Sequence, residues 1–281
     1  MGFKSLAKTV FPRPIHRIAA KSYGAGLKKY ARVKHRVQTQ YFSGEHVTCP
    51  YCDVKYRKFL PTGVLDRAFF KTAEADRIRQ LDHVTVCNLK CPRCGSSERH
   101  RLAYFYLKEA RNIDSVKGAR ILDVAPDPYM TDALFDRDDI EYLSMDLYRE
   151  NAQYSMDLTA MSFRDNEFDI IICYHTLEHI KDDGKAMREM YRVMKPGAWA
   201  ILQVPLWADD TVEDLDVPRE DYLKLYGHSD HVRRYGKDFK DRLEAAGFKV
   251  TLDDYVRHLP DEQIRKYGLL PNEDIYLCEK V

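Results

Sequence analysis

The stretch FDIIICYHTLEHI, Phe168 to Ile180, decides how the chain folds. Its apolar centre, Ile170 to Tyr174, is continuous rather than alternating, the pattern of a strand covered on both faces. A helix follows: Asp182 and Asp183 signal its start, Met187, Met190, Tyr191 and Met194 its buried stripe, and Pro196-Gly197 its stop. A second apolar run, AWAILQVPL at 198–206, completes a strand–helix–strand unit. Upstream, ARILDVAP (119–126) and IEYLSMDL (140–147) read as further buried strands. Ser96 or Ser97 can cap a helix whose apolar positions Ala103, Tyr106, Leu107 and Ala110 keep helical spacing. Downstream, KDFKDRLEAAG (237–247) reads as a helix burying Phe239, Leu243 and Ala246, and KVTLDDYV (249–256) and DIYLCEK (274–280) as strands. Strands alternating with helices predict a doubly wound α/β sheet.

At 281 residues the chain has room for that domain and a smaller appendage. Two Cys-x-x-Cys turns, Cys49-Pro-Tyr-Cys52 and Cys91-Pro-Arg-Cys94, each present two thiolates to one tetrahedral ion. Together they predict a zinc-ribbon module over 48–100, its closed four-cysteine shell marking a structural ion rather than one that activates water. CPYC also resembles a glutaredoxin redox site, but that needs a helix from its first cysteine, whereas VKYRKFL (54–60) alternates as a strand does. The 38 residues between the pairs (53–90) imply an insertion, with helical character from Asp66 to Asp82; Cys87 is read as a spare thiol.

The net charge of +1 conceals a basic arm: residues 1–47 hold ten Lys and Arg against one acid, Glu45. Phe3, Leu6, Ala7 and Val10 form an apolar stripe beside Lys4 and Lys8, and a second basic stretch runs from Lys28 to Arg36. Such a segment suits contact with an anionic membrane surface or with RNA, or packing of the stripe on a second copy in a homodimer. Charges at Lys4, Lys8, Arg13 and Arg17 interrupt any signal-peptide core, and no apolar run is long enough to span a bilayer. A cytoplasmic protein, peripheral to the inner membrane surface through its arm, is expected.

From about residue 100 to 281 the chain resembles the class I S-adenosylmethionine-dependent methyltransferases, and among them the small-molecule type 11 group. ILDV (121–124) with its tight loop resembles motif I, MDL (145–147) the end of the second strand, and MDL (156–158) the adenine-binding segment. FDIIICYHTLEHI followed by YRVMKPGAWAILQVP (191–205) and LEAAGFKV (243–250) are typical of the family. The resemblance implies a Rossmann-like seven-stranded sheet ending in an antiparallel hairpin over 101–281. It implies that Asp146 accepts the ribose hydroxyls, that Asp157 meets the adenine amino group with Leu147 and Leu158 against the ring, and that Asp123 orders the motif I loop. SSERHR (96–101) after the ribbon and DHVRRYG (230–236) look like a subgroup associated with bacterial glycan gene clusters.

The motif I loop departs from the family. Ala125-Pro126-Asp127-Pro128-Tyr129 contains no glycine, and two prolines remove two N–H donors. Asp127 and the backbone at Ala125 are then expected to meet the cofactor's amino-acid end. A hydroxyl acceptor needs a base. His175 and His231 are the candidates, with Glu178 and His179 one turn after the first and His228, Asp230 and Arg233 around the second; for His179 and His228 an ordinary hydrogen-bonded role suffices. O-methylation of a sugar, glycan precursor or other small polar metabolite stands first. The alternatives are a ribosomal RNA methyltransferase, whose ribbon aromatics Tyr51, Tyr56, Phe59, Phe69 and Phe70 either stack bases or fill a small core, and a non-catalytic cofactor-binding scaffold.

Overall fold

A computed structural model describes residues 42–60, 90–148 and 152–281. The arm up to residue 41, the Asp66–Asp82 insertion and Cys87 lie outside the described residues.

The cysteine module opens with an antiparallel hairpin of β1 (Ser43–Cys49) and β2 (Val54–Tyr56). β1 thus begins inside the segment assigned to the arm. Asp53, left-handed at φ 47°, turns the first Cys-x-x-Cys knuckle into β2, and Gly95 at φ 82° closes the second, its N–H donating to the Cys91 carbonyl at 3.0 Å. Val47, Tyr56 and Phe59 pack with Cys49 and Cys91 into a small core. Ser97 then caps α1 (Glu98–Phe105), which continues as a wider π turn over Tyr106–Ala110. Because the π turn breaks the 3.6-residue period, Ala103, Tyr106 and Leu107 are buried as expected while Ala110 faces solvent. Arg101 pins the module to the main domain. Fully buried, its guanidinium lies 3.8 Å over the Phe59 ring and donates to the carbonyls of Ser96, Tyr267 and Gly268.

The main domain continues with β3 (Arg120–Val124), α2 (Pro128–Leu134), β4 (Glu141–Asp146), β5 (Tyr154–Ser155), β6 (Phe168–Tyr174), α3 (Asp183–Val193) and β7 (Met194–Gln203). Two short strands, β8 (Val212–Glu213) and β9 (Arg233–Arg234), bracket α4 (Tyr222–Tyr226), and α5 (Phe239–Ala245), β10 (Lys249–Asp253), α6 (Asp261–Tyr267) and β11 (Ile275–Glu279) close the chain. The seven-stranded sheet runs β10-β11-β7-β6-β3-β4-β5, with β11 antiparallel to both neighbours and the other pairs parallel. This is the Rossmann-like methyltransferase sheet with its final antiparallel hairpin.

Strand periodicity divides the core. Ile171 and Cys173 face Met187, Met190, Phe239 and Leu243 of α3 and α5, whereas Ile170 and Ile172 face Leu102, Leu107, Met130 and Leu134 on the other side. Each such side chain contributes roughly 1.5–3 kcal/mol on burial, which explains why the central strands carry continuous apolar runs. The Asp182 carboxylate caps α3 by accepting from the Lys185 N–H at 2.9 Å. One boundary differs from expectation: α3 ends at Val193, and Pro196-Gly197 lie inside β7. Met194 is already extended, and Gly197 at φ 79° lets its N–H reach the Lys280 carbonyl, so the pair shapes the start of a strand.

Candidate active site

The carboxyl ends of β3, β4 and β6 form one rim, where sheets of this kind bind ligands. At the end of β3, Ala125 is left-handed at φ 54°, a conformation that favours glycine. Its N–H donates to the Met145 carbonyl at 2.8 Å, fastening the loop to β4. The buried Asp123 carboxyl accepts from the Tyr142 hydroxyl at 2.8 Å, and burial pushes it up to about 7.

Asp127 precedes α2 and is engaged by a residue that sequence reasoning missed. His100 Nε2 lies 2.5 Å from Asp127 Oδ2, while the Ser97 N–H donates to His100 Nδ1 at 3.1 Å. Accepting at Nδ1 leaves the ring proton on Nε2, pointed at Asp127. Burial keeps this imidazole below its ordinary value, so it is a neutral linker between α1 and the motif I loop.

Asp146, at the end of β4, accepts from the Tyr148 N–H at 2.7 Å. Asp157 is exposed and accepts from the N–H and hydroxyl of Thr159, both at 2.8 Å, bonds that hold it below the usual carboxylate range. The two leucines expected against adenine part company: Leu147 is 59% exposed, whereas Leu158 is 4% exposed and packs in the core.

Beyond β6, Glu178 and His231 are buried, His175 is half-buried and His179 is exposed. His175 is left-handed at φ 50°, its Nδ1 3.4 Å from Glu178 Oε1. Burial, aided by the positive charge of Arg99, keeps it well below its ordinary value, so the imidazole is neutral. Glu178 is 1% exposed, pushed up to about 8 by burial, and its Oε2 has no hydrogen-bond partner among the described residues. His231 Nε2 lies 4.0 Å from Glu178 Oε1, and burial lowers its value to about 3. Its ring meets His179 and His228, each at 4.7 Å, and Trp207 at 6.0 Å.

Arg233, placed by sequence in the acceptor loop, is instead a strut. It donates to the carbonyls of Leu177 and Lys181 and pairs with Glu213 at 3.1 Å, holding the turn after β6 in place. Three further residues were missed. Arg99 is close enough to act on His175 and Glu178, and Glu273, pushed up to about 8 by burial, shares this environment with Glu98. SSERHR directly after the second knuckle was the available signal for Arg99; nothing local marked Glu273.

The cysteine sulfurs converge separately. Cys49 and Cys94 Sγ lie 3.6 Å apart and Cys52 and Cys91 Sγ 3.7 Å, and all four lie within 4.8 Å of one another.

Residues 109–202, which include β3, β4 and β6 of the rim, match the type 11 methyltransferase family model, described as a methyltransferase domain. This stretch is a methyltransferase domain. The chain is also similar to the Escherichia coli (strain K12) protein YafE, 33% identical over 76 residues, which are 27% of this chain and 35% of that protein. Over 42 residues, 15% of this chain, it is 45% identical to 17% of the ubiquinone/menaquinone biosynthesis C-methyltransferase UbiE of Pseudoalteromonas translucida (strain TAC 125). The chain therefore spans about a third or less of the length of these curated relatives. An S-adenosylmethionine-dependent methyltransferase structure from Mesorhizobium loti is similar at 14% identity and a TM-score of 0.44, covering 62% of this chain and 95% of that one. Among the described residues, no helix is long and apolar enough to cross a membrane.

Proposed function

We propose that the methyltransferase domain transfers the methyl group of S-adenosylmethionine to a hydroxyl of a sugar, glycan precursor or other small polar metabolite. The observation that carries this reading is the placement along one rim of a half-buried acid at the end of β4, an exposed acid just after β5 and a neutral, mostly buried His175 at the end of β6. S-adenosylmethionine supplies a methyl group activated on a sulfonium. Asp146 accepts the ribose hydroxyls, Asp157 meets the adenine amino group, and Leu147 covers the ring. Asp123 and the left-handed Ala125 set the loop path along the amino-acid end. In the displacement, the acceptor oxygen–carbon bond forms as the sulfur–carbon bond breaks, and the hydroxyl proton passes to His175 or His231.

The four cysteines fit a structural zinc ion. Zinc–sulfur bonds of about 2.3 Å in a tetrahedron place the sulfurs about 3.8 Å apart, close to the two separations seen here. The ribosomal RNA reading is less favoured, because Tyr56 and Phe59 fill the ribbon core and Tyr51 donates its hydroxyl to the His100 carbonyl. Attachment of the basic arm to an anionic membrane surface, or to a second copy, remains a separate proposal about residues mostly outside the described ones.

Calorimetric titration should show S-adenosylmethionine binding that Asp146→Ala weakens at least about tenfold, the loss of a charged acceptor bonded to two hydroxyls. Labelled methyl from the cofactor should then enter a nucleotide-sugar or glycan fraction. No cofactor affinity in the wild-type protein would overturn the enzyme reading, and label entering RNA instead would overturn the acceptor.

A further inference from the structure

On the acceptor side of the rim, one carboxylate oxygen of Glu178 and one ring nitrogen each of His179 and His231 lie within 4.8 Å of one another. We propose that these three residues bind a divalent transition-metal ion whose remaining coordination positions face the acceptor.

Four observations support the site. First, the buried Glu178 carboxylate is incompletely satisfied, although the charges of Arg99 and Arg233 act on it. Its Oε2 has no hydrogen-bond partner among the described residues, and His175 and His231 lie 3.4 Å and 4.0 Å from its Oε1. Arg233 is committed elsewhere, to Glu213 and to the carbonyls of Leu177 and Lys181. A buried carboxylate with an unsatisfied oxygen is costly, and a dication between it and the two imidazoles offsets that cost.

Second, both imidazoles are oriented from behind as metal-ligating histidines are. His179 Nδ1 is bonded to the Asp230 carbonyl at 3.1 Å, so this nitrogen carries the proton and Nε2 keeps its lone pair; the His231 ring is tied to the backbone of Tyr226. Third, the two segments are clamped together. The Val232 N–H donates to the Glu178 carbonyl at 2.9 Å, which sets His231 beside Glu178-His179 although some 50 residues of chain separate them. Ligand atoms about 2.1 Å from one ion stand about 3.0–3.4 Å apart, so small side-chain rotations close the site. Fourth, His179 is exposed, which provides the entry path that a metal requires.

Two imidazoles and a carboxylate suit zinc, iron, cobalt or manganese, and three protein ligands leave positions open, unlike the saturated four-cysteine group. Resting on the methyltransferase reading, the open positions would take the acceptor hydroxyl, or a pair of neighbouring hydroxyls, and increase its acidity. His231 is then a ligand, and the proton acceptor is His175.

The test uses the full chain with its cysteines first filled with zinc, titrated with Co2+ and followed by calorimetry and visible absorption. The wild-type protein should bind one Co2+ with ligand-field bands and no thiolate charge-transfer band. Glu178→Gln and His231→Gln should each weaken this binding at least tenfold, and so should His179→Ala, an exposed position that spares the core; His258→Ala controls for surface imidazoles. Circular dichroism identifies any variant that fails to fold. No Co2+ beyond the cysteine site, or unchanged affinity in folded His179→Ala, overturns the proposal. Because no cofactor or turnover is involved, Co2+ binding without S-adenosylmethionine affinity would keep the metal site and sink the methyltransferase reading, and the reverse result would do the opposite.

Discussion

The two halves of the rim are built differently although only β3 lies between the strands that carry them. On the β4–β5 side, Asp157 and Leu147 are exposed and Asp146 is half-buried, each acid held by a short bond to a nearby backbone N–H. On the β6 side, Glu178 and His231 are buried, and desolvation displaces both from their ordinary protonation. The difference separates two tasks. A large polar ligand brings its own covering surface, so its acceptors can wait in water as ordinary carboxylates. A proton acceptor must already be neutral and shielded when the substrate arrives, and burial supplies both conditions.

Both halves lean on α1, and the cysteine module holds α1. His100 touches Asp127 on the cofactor side, and Arg99 acts on His175 on the acceptor side. Cys91→Ser should therefore have the largest effect. It should lose the ion, unfold the ribbon and loosen both halves together, at a cost of several kcal/mol. Metal analysis and amide hydrogen exchange would report it: fast exchange in β1, β2 and α1 is expected together with weaker cofactor binding. A metal-free variant with native exchange and native cofactor affinity would detach the module from the site.

A smaller effect is expected where the halves meet, at Asp123. Its folded-state carboxyl keeps a proton up to about pH 7, whereas in the unfolded chain it loses it near 4. The corresponding stability is fully present below about pH 4 and is lost as pH rises through 7. Asp123→Asn retains a neutral acceptor for the Tyr142 hydroxyl at every pH. Relative to wild type, the variant should gain on the order of 4 kcal/mol in stability between pH 4 and pH 8. Urea denaturation of both proteins at the two pH values checks this, and a pH-independent difference would place the ionised carboxylate at home in the core.

Much of this arrangement was legible in the residues. Ile170 to Tyr174 announced a strand buried on both faces, Asp182 a helix cap, and the two cysteine pairs a convergent group; all three depend on local pattern or spacing. What stayed hidden depends on tertiary contact. The His100–Asp127 pair joins residues 27 positions apart across two helices, and Arg233 reads as a surface cation until its partners Glu213 and Leu177 are seen. The burial of Glu178 was hidden for the same reason, since LEHI alone does not say which way a carboxylate points. Ala110 was misplaced because a π turn leaves no trace in apolar spacing.

The smallest expected effect compares the two halves most directly, because each ends its strand in the same backbone conformation. Ala125 at φ 54° and His175 at φ 50° are both left-handed, where a side chain costs about 1–2 kcal/mol. Glycine relieves that cost but enlarges the freedom of the unfolded chain by about 0.4–1 kcal/mol, so Ala125→Gly should stabilise the protein by only about 0.5 kcal/mol. Its N–H bond to the Met145 carbonyl survives the change, and cofactor affinity should stay within about twofold. His175→Gly relieves the same strain but empties the space of a mostly buried side chain, so its stability should fall rather than rise, and it removes the neutral imidazole. Turnover should fall by about 100-fold or more, the usual contribution of a positioned base. Measuring urea stability, cofactor affinity and methyl transfer on both variants separates conformation from chemistry. If both variants keep wild-type turnover, the histidine's strained backbone serves only the path of the chain, and the contrast between a binding half and a proton-accepting half fails.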